Sequence, residues 1–350
     1  MNQLIFNWQQ ISQRGRGLTF NDVLIMPKYS DVRSRREPTL TSRLTKKINI
    51  DIPIVSSNMD TITEDAMAIA LFNLGGLGIL HRFMTTEEQV AMVTKVKQAG
   101  AKNISASIGV GEESKSRARA LLAAGVNVIT IDIAHGHSVQ MIETMKWLKD
   151  SHPDVEIIAG NLAMPDAARD LIEAGADAIK VGIGPGSMCT TRIITGCGVP
   201  QLTAIALCAE VAASYDVPVI ADGGIRTSGD IVKAFAAGAS TVMLGSMLAG
   251  TLETPGEVRQ GKKQYRGMAS KSAQVSWRGG VPEGMAAEGE STMVGIKGHV
   301  KDVILEIAGG IRSGMSYINA TSIAEIKDKA QFMEMSSNGI SESRAHGLNA

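Results

Sequence analysis

Short apolar runs recur along the chain at 51–56, 76–80, 104–110, 128–134, 156–160, 178–183, 217–221 and 241–245, each closed by a glycine or a polar residue. Their apolar positions are continuous rather than alternating, the pattern of strands buried on both faces of a parallel sheet. Most successive starts lie 22 to 28 residues apart, room for a loop, a helix and a return. The stretches 114–124, 165–174 and 228–237 have helix-favouring interiors, and Gly125, Gly175 and Gly238 stand where left-handed C-terminal caps are expected. Ser228 reads as the N-cap of the last of these, with Asp230 near the positive end of its dipole. Eight such units predict an α/β fold, a (β/α)8 TIM barrel, with an open doubly wound sheet as the alternative.

Two intervals break the rhythm. The sixth and seventh runs start 39 residues apart, and the extra length carries 182–198. After the eighth run, 251–310 is rich in Gly, Glu and Ser and shows little periodicity. In a barrel the loops after the strands build the active site, so a long active-site loop after strand six and a flap after strand eight are expected. Residues 1–36 and 321–350 read as short extensions of a single domain spanning 1–350, with no regulatory insertion.

Composition narrows what such a barrel does. Apolar residues make up 44% and charged residues 20%, a balance that favours a packed core over disorder. Basic and acidic residues number 35 each and aromatics are only 4%, which gives a nucleic-acid partner little footing. A single phosphorylated small molecule needs only a local pocket. No apolar run approaches the roughly eighteen residues of a membrane span, and 1–17 lacks a signal-peptide core, so no membrane partner is expected. Cys189, Cys197 and Cys208 form no CxxC pair, as expected of a reduced, cytoplasmic protein.

Chemistry concentrates at the predicted strand ends. The segment Gly182-Ile183-Gly184-Pro185-Gly186 is a glycine loop that can turn carbonyls to a cation or amides to an anion. Cys189 follows it, flanked by hydroxyls and near Arg192, a setting that favours a nucleophilic thiolate over a buried structural thiol. Asp222, Gly223, Gly224, Gly245 and Ser246 occupy the loops after strands seven and eight, where barrels commonly hold phosphate. There Asp222 either accepts ribose hydroxyls or simply caps a turn. Asp132 closes strand four ahead of His135 and His137, which lack a third metal ligand at convincing spacing. Asn58, Met59 and Asp60 close strand one as ligand contacts or caps. The basic stretch 33–36 reads as solvated surface or, less simply, as a 2′-phosphate contact, and nothing local selects among Glu283, Glu288 and Glu290.

At this point the chain resembles the inosine-monophosphate dehydrogenase and guanosine-monophosphate reductase family. The resemblance runs from about 18 to about 344 and is carried by 18–24, 57–61, 182–192, 221–224, 265–268 and 309–313. It implies a (β/α)8 barrel, a homotetramer, and a covalent bond between Cys189 and purine C2. The dehydrogenase branch oxidises IMP with NAD and hydrolyses the adduct. The reductase branch expels ammonia from GMP and takes hydride from NADPH to give IMP. The dehydrogenase's adjacent Arg-Tyr pair is missing, since 267–300 holds one arginine, Arg278, and no tyrosine. The form of 186–192, with Thr191 two residues after the cysteine, and the spacing of 281–291 to Lys297 also resemble the reductase. Residues 280–284, His135-Gly136-His137 and 342–344 are closer to the dehydrogenase, and Met285 and Ala287 replace an arginine and a serine common in reductases.

The resemblance therefore implies reductive deamination of GMP by NADPH, with Cys189 as nucleophile and Thr191 with Glu288 as proton relay. Asp222, Gly223, Gly224, Gly245, Ser246, Gly267, Met268, Ala269, Met285, Ala286, Ala287 and Gly289 would bind the nucleotide. Asp132, Ile133, Ala134, Arg82 and Gly184 would face the dinucleotide, with Ser34, Arg35, Ser313, Gly314 and Tyr317 reaching it, the first two across a subunit boundary. Gly184, Gly186, Cys189 and Arg192 would offer carbonyls to a monovalent cation, potassium. The rival readings are a dehydrogenase without a regulatory domain and a purine-nucleotide sensor that has lost turnover.

Overall fold

Eight parallel strands close on one another in chain order: β1 (Ile54–Ser56), β2 (Leu77–Leu80), β3 (Ser105–Ile108), β4 (Val128–Asp132), β5 (Glu156–Leu162), β6 (Ala178–Val181), β7 (Val219–Asp222) and β8 (Thr241–Leu244). Strand β8 returns to β1 through Val242↔Ile54, Met243↔Val55 and Leu244↔Ser56, so the sheet is a barrel and the open-sheet alternative falls. This computed structural model describes residues 4–343. Helices alternate with the strands: α1 (Asp65–Asn73), α2 (Thr86–Gln98), α3 (Glu112–Ala124), α4 (Val139–Ser151), α5 (Pro165–Glu173), the single turn α6 (Thr191–Thr195), α7 (Gln201–Ser214) and α8 (Ser228–Ala236).

Within the barrel, Val55, Leu77, Ile79, Val128, Ile158, Ala178, Ile220 and Met243 form one apolar cluster. Leu44 and Ile50, from a hairpin pairing Ser42–Arg43 with Asn49–Ile50, complete it at the N-terminal end of the strands. Side chains two apart on a strand share a face, so the inward row can be followed upward. Val128 is succeeded by Thr130 and Asp132, Ala178 by Lys180, and Ile220 by Asp222. The floor is apolar and the mouth is polar. A second, larger cluster fills the layer between strands and helices.

The strands are mostly shorter than the apolar runs. Strand β1 begins at Ile54 rather than 51 because the amides of Asp51 and Ile52 bond the Gly75 carbonyl, at 2.9 and 3.0 Å. The run 104–110 supplies only 105–108, whereas 156–160 extends to Leu162. Gly125, Gly175 and Gly238 take φ of 115°, 108° and 106°, the left-handed caps expected. Ser228 is not the N-cap of α8: Thr227 is, accepting from the Asp230 amide at 3.1 Å while the Asp230 carboxylate accepts from the Thr227 amide at 3.2 Å.

The segment 251–310 is more regular than its composition indicated. Strand β9 (Lys262–Arg266) pairs antiparallel with β10 (Ser291–Gly295), and α9 (Lys271–Arg278) lies between them. Helix α10 (Val300–Tyr317) begins inside the stretch expected to be irregular and buries Val300, Ile304, Ile307, Ile311 and Met315. The β9 strand was hidden because one of its inward residues is Lys263, whose ammonium donates to the carbonyls of Thr251, Leu252 and Thr254 at 3.2, 3.0 and 2.6 Å. The two terminal extensions are joined rather than loose. Phe332–Glu334 lies between Ile5–Phe6 and Val23–Ile25 in a three-stranded antiparallel sheet. Of the motif at 342–344, Arg344 lies outside the described residues, as do 1–3 and 345–350.

Candidate active site

A cavity of about 820 Å³ opens at the polar mouth of the barrel. Its β6 side is built by the long loop. Gly182 makes the turn out of β6, and a Cβ there would lie 1.9 Å from the Asp222 carbonyl oxygen, so only glycine fits. The loop then threads between two later segments. Thr190 and Glu290 donate their amides to the carbonyls of Glu288 and Met188, at 3.2 and 2.8 Å. Gly267 donates to Glu290 at 2.9 Å and Glu288 to Ala269 at 3.0 Å. The β9–β10 ribbon and 182–192 thereby hold Cys189 and Glu288 side by side.

The half-buried Cys189 Sγ donates to Thr191 Oγ1 at 3.1 Å, and Thr191 Oγ1 donates to Glu288 Oε2 at 2.8 Å. Sulfur, hydroxyl and carboxylate form one line, which can carry a proton between the sulfur's surroundings and the carboxylate. The local sequence did not distinguish the three glutamates and the resemblance pointed to Glu288; it is Glu288 that reaches this line, while Glu283 and Glu290 are exposed. Cys208 is buried, and burial pushes its thiol up to about 12. Cys197 is exposed on the surface.

Across the β6–β8 half of the mouth lies the glycine cradle. Asp222, Gly223, Gly224, Gly245 and Ser246 all line the cavity, with Gly267, Met268, Ala269, Met285, Ala286 and Glu288 closing over it. Ala287 and Gly289 lie in the same strand of chain but are not part of the lining, which their neighbours supply. Tyr265 and Ser187, which sequence reasoning did not single out as site residues, also face the cavity and bond each other at 3.0 Å. Burial raises the Tyr265 phenol, the Ser187 bond opposing it.

Beneath the cradle stands Lys180, the residue most completely missed. Its side chain is 2% exposed, and its Nζ meets Asp132 Oδ1 at 2.8 Å and Asp222 Oδ2 at 2.7 Å. Asn161 Oδ1 accepts a third, short bond from the same ammonium. The β5–β6 register shifts beside Lys180, leaving Asn161 as the extra residue, so that its Nδ2 reaches Gly182 O at 2.7 Å and Asp222 Oδ2 at 2.9 Å. Burial alone would lower the Lys180 ammonium, but the two carboxylates outweigh it and raise it above the ordinary lysine value. Burial alone would likewise raise Asp132, but Lys180 and Arg82 hold it below the ordinary carboxylate value.

On the β2–β4 half, Arg82, Asp132, Ile133 and Ala134 line the cavity as expected, and Gly184 faces them from the loop. Ser34, Arg35, Ser313, Gly314 and Tyr317 do not join them. Arg35 lies over the Tyr317 ring at 6.0 Å on the outer surface, outside this cavity. His137 is engaged by Asp170 at 2.7 Å, and among the described residues no three His, Cys, Asp or Glu side chains are grouped to hold a metal. Asp60 faces Arg266 in a partly buried ion pair, leaving Asn58 and Met59 to line the cavity. Gly184, Gly186 and Cys189 lie in the loop that leads into α6, which carries Arg192, and the Gly186 carbonyl accepts the Cys189 amide at 3.0 Å. Arg192 packs its side chain against Gly184 and donates to the Val199 carbonyl at 2.6 Å.

Among the described residues no helix is long and apolar enough to cross a membrane. Residues 17–346 match the family described as IMP dehydrogenase / GMP reductase domain. The chain is 43% identical over 387 aligned residues to an inosine-5'-monophosphate dehydrogenase of Cryptosporidium parvum, covering 95% of this chain and 96% of that protein. It is 37% identical to an inosine-5'-monophosphate dehydrogenase of Nitrosopumilus maritimus, with 95% and 98% covered. It is 36% identical to a GMP reductase of Leishmania donovani, with 95% and 97% covered.

Proposed function

The chain belongs to the IMP dehydrogenase / GMP reductase family of oxidoreductases, and from that premise we propose that it is a reductase, converting GMP to IMP and ammonia with NADPH. The observation that carries this reading is the line from Cys189 Sγ through Thr191 Oγ1 to Glu288 Oε2. Deamination needs a proton delivered to a departing amine, and a carboxyl group linked by a hydroxyl to the nucleophile's neighbourhood meets that need. The Arg-Tyr pair that would serve hydrolysis in the dehydrogenase branch has no counterpart in 267–300.

In this reading the Cys189 thiolate adds to C2 of GMP. Glu288, through Thr191, passes a proton to the C2 amino group, and ammonia leaves a covalent thioimidate. NADPH, when bound, supplies hydride to C2. The C2–S bond then breaks, its electrons returning to Cys189, and IMP is released. Asp222, with Oδ2 fixed by Lys180 and Asn161, presents Oδ1 to ribose hydroxyls. Gly223, Gly224, Gly245 and Ser246 offer amides to the phosphate, where side chains would intrude. The β2–β4 half fits a dinucleotide: Arg82, Asp132, Ile133 and Ala134 line it, and guanidinium N–H groups pair well with phosphate oxygens. The carbonyl-rich loop 184–192 suits a hard monovalent cation, potassium, which would steady the cysteine. Ser34, Arg35, Ser313, Gly314 and Tyr317 would serve the dinucleotide from a neighbouring copy in a homotetramer.

The second reading, oxidation of IMP to xanthosine monophosphate with NAD, is favoured by the names of the more identical relatives. Two cuvettes separate them. Protein with GMP and NADPH should lose absorbance at the NADPH band, with IMP and ammonia formed in equal amounts. Protein with IMP and NAD, gaining absorbance and forming xanthosine monophosphate, would establish the dehydrogenase instead. Tight GMP binding with change in neither would leave a nucleotide sensor.

A further inference from the structure

The chain holds few aromatic side chains, 4% of its residues, yet two of them meet on one wall of the catalytic cavity. Phe83, in the loop after β2, meets Trp277 of α9 edge to face, ring centroids 5.3 Å apart. Each ring carries a guanidinium. Arg82 lies 4.8 Å over Phe83 and Arg278 lies 3.9 Å over Trp277. Four planar groups thus follow one another along the cavity: guanidinium, phenyl, indole, guanidinium. All four side chains line it, and none belongs to the glycine cradle or to the cysteine relay.

The polar atoms of this wall are incomplete. Trp277 Nε1 and Arg82 Nε are both buried without a hydrogen-bond partner within the described residues. Both atoms are covered by the chain itself, so what this wall can offer a ligand are its rings and the remaining guanidinium N–H groups. An indole and a phenyl ring accept a flat heteroaromatic ring, and guanidinium groups pair with phosphate oxygens through paired N–H donors. A ligand with both parts is a nucleotide. The substrate nucleotide is accounted for on the β6–β8 half by Asp222 and the glycines, whereas this wall rises from β2 and faces Asp132 of β4.

We propose that Trp277 and Phe83 are the stacking wall for one heteroaromatic ring of the nicotinamide dinucleotide, with Arg82 and Arg278 placed for its phosphate oxygens. The proposal rests on the reading that the β2–β4 half holds the dinucleotide, and it deepens that reading by assigning its recognition to the helix between β9 and β10. Because α9 lies in the connection from β9 to β10 that also holds 267–269 and 288–290, a ring seated on Trp277 also steadies the segment that holds Glu288.

The test is initial-rate kinetics with the dinucleotide varied at saturating purine nucleotide. Trp277→Ala should raise the KM for NADPH roughly tenfold, the loss expected when one stacking partner is removed, while the KM for GMP stays within about twofold. Trp277→Phe keeps a ring and should restore most of the lost affinity. Should the alanine protein not fold, Arg278→Gln carries the test at an exposed side chain, with a KM for NADPH several-fold higher expected. An unchanged KM for NADPH in folded Trp277→Ala, or in Arg278→Gln, overturns the proposal, as does a parallel rise in the KM for GMP. If the protein turns over IMP with NAD, the reductase reading fails while the same variants, assayed with NAD, still decide this one.

Discussion

Replacing Cys189 by alanine removes the one thiol among the described residues that line the cavity while leaving the glycine cradle intact. Cys189→Ala is expected to bind GMP with near-normal affinity and to turn over neither nucleotide; residual steady-state turnover would rule out covalent catalysis. Glu288→Gln keeps an oxygen that can accept from Thr191 but removes the acid that gives up a proton. It should block ammonia release from GMP by about 10²–10⁴-fold, and should impair the reverse oxidation of IMP to the enzyme adduct far less. Single-turnover assays of each half-reaction check this, and equal loss of both would remove the relay role. Lys180 answers to a different measurement. Lys180→Met leaves Asp132 and Asp222 facing each other without their common cation and should cost about 3–5 kcal/mol of stability, read as a denaturation midpoint. Asp132→Asn in the same background should recover part of that loss.

The elements show why sequence reading went as far as it did. The eight strands were legible because each is buried on both faces, so its apolar positions run together and the glycines after the helices fall where left-handed caps form. Lys180 was not legible. A lysine between Ile179 and Val181 looks like any polar residue at a strand end, and nothing local says that two aspartates from β4 and β7 converge on it. Strand β9 was missed for the same reason, Lys263 being buried against carbonyls of its own preceding turn. Cys189, Asp132 and Asp222 were singled out because loops and strand ends at one mouth of a barrel are where chemistry gathers, and all three line the cavity. Thr191 and Glu288 became a pair only through resemblance, since 97 residues separate them and a ribbon brings them together. At this scale the cap of α8 offers a clean check. Thr227→Ala should cost about 1 kcal/mol with no effect on KM, whereas Ser228→Ala should spare the cap.

For the whole molecule the pH behaviour follows from buried Lys180 and its two carboxylates. Lys180 is raised above the ordinary lysine value, so its stabilisation is complete at neutral pH and is lost as pH climbs past about 10.4 toward its folded value. Asp132 is depressed, so its contribution is present above about 3.9 and is lost as pH falls through its folded value. The stability gap between wild type and Lys180→Met should therefore be flat near neutrality and close on both flanks, as thermal melts across pH would record. Thiol chemistry divides the same way. Iodoacetamide should label exposed Cys197 freely, label Cys189 unless GMP is present, and reach Cys208 only on unfolding. Mass spectrometry of the labelled peptides distinguishes the three.

The passage from apolar floor to polar mouth along the same strands has an evolutionary consequence. What makes the barrel fold and what makes it react are stacked one above the other, two residues apart, rather than mixed. Mutations at the rim and in the loops above it can change what the mouth binds without touching the layer that holds the strands closed. A lineage can in this way alter what its mouth does while its scaffold goes on diverging at its own pace, and overall resemblance becomes a poor clock for a change of chemistry.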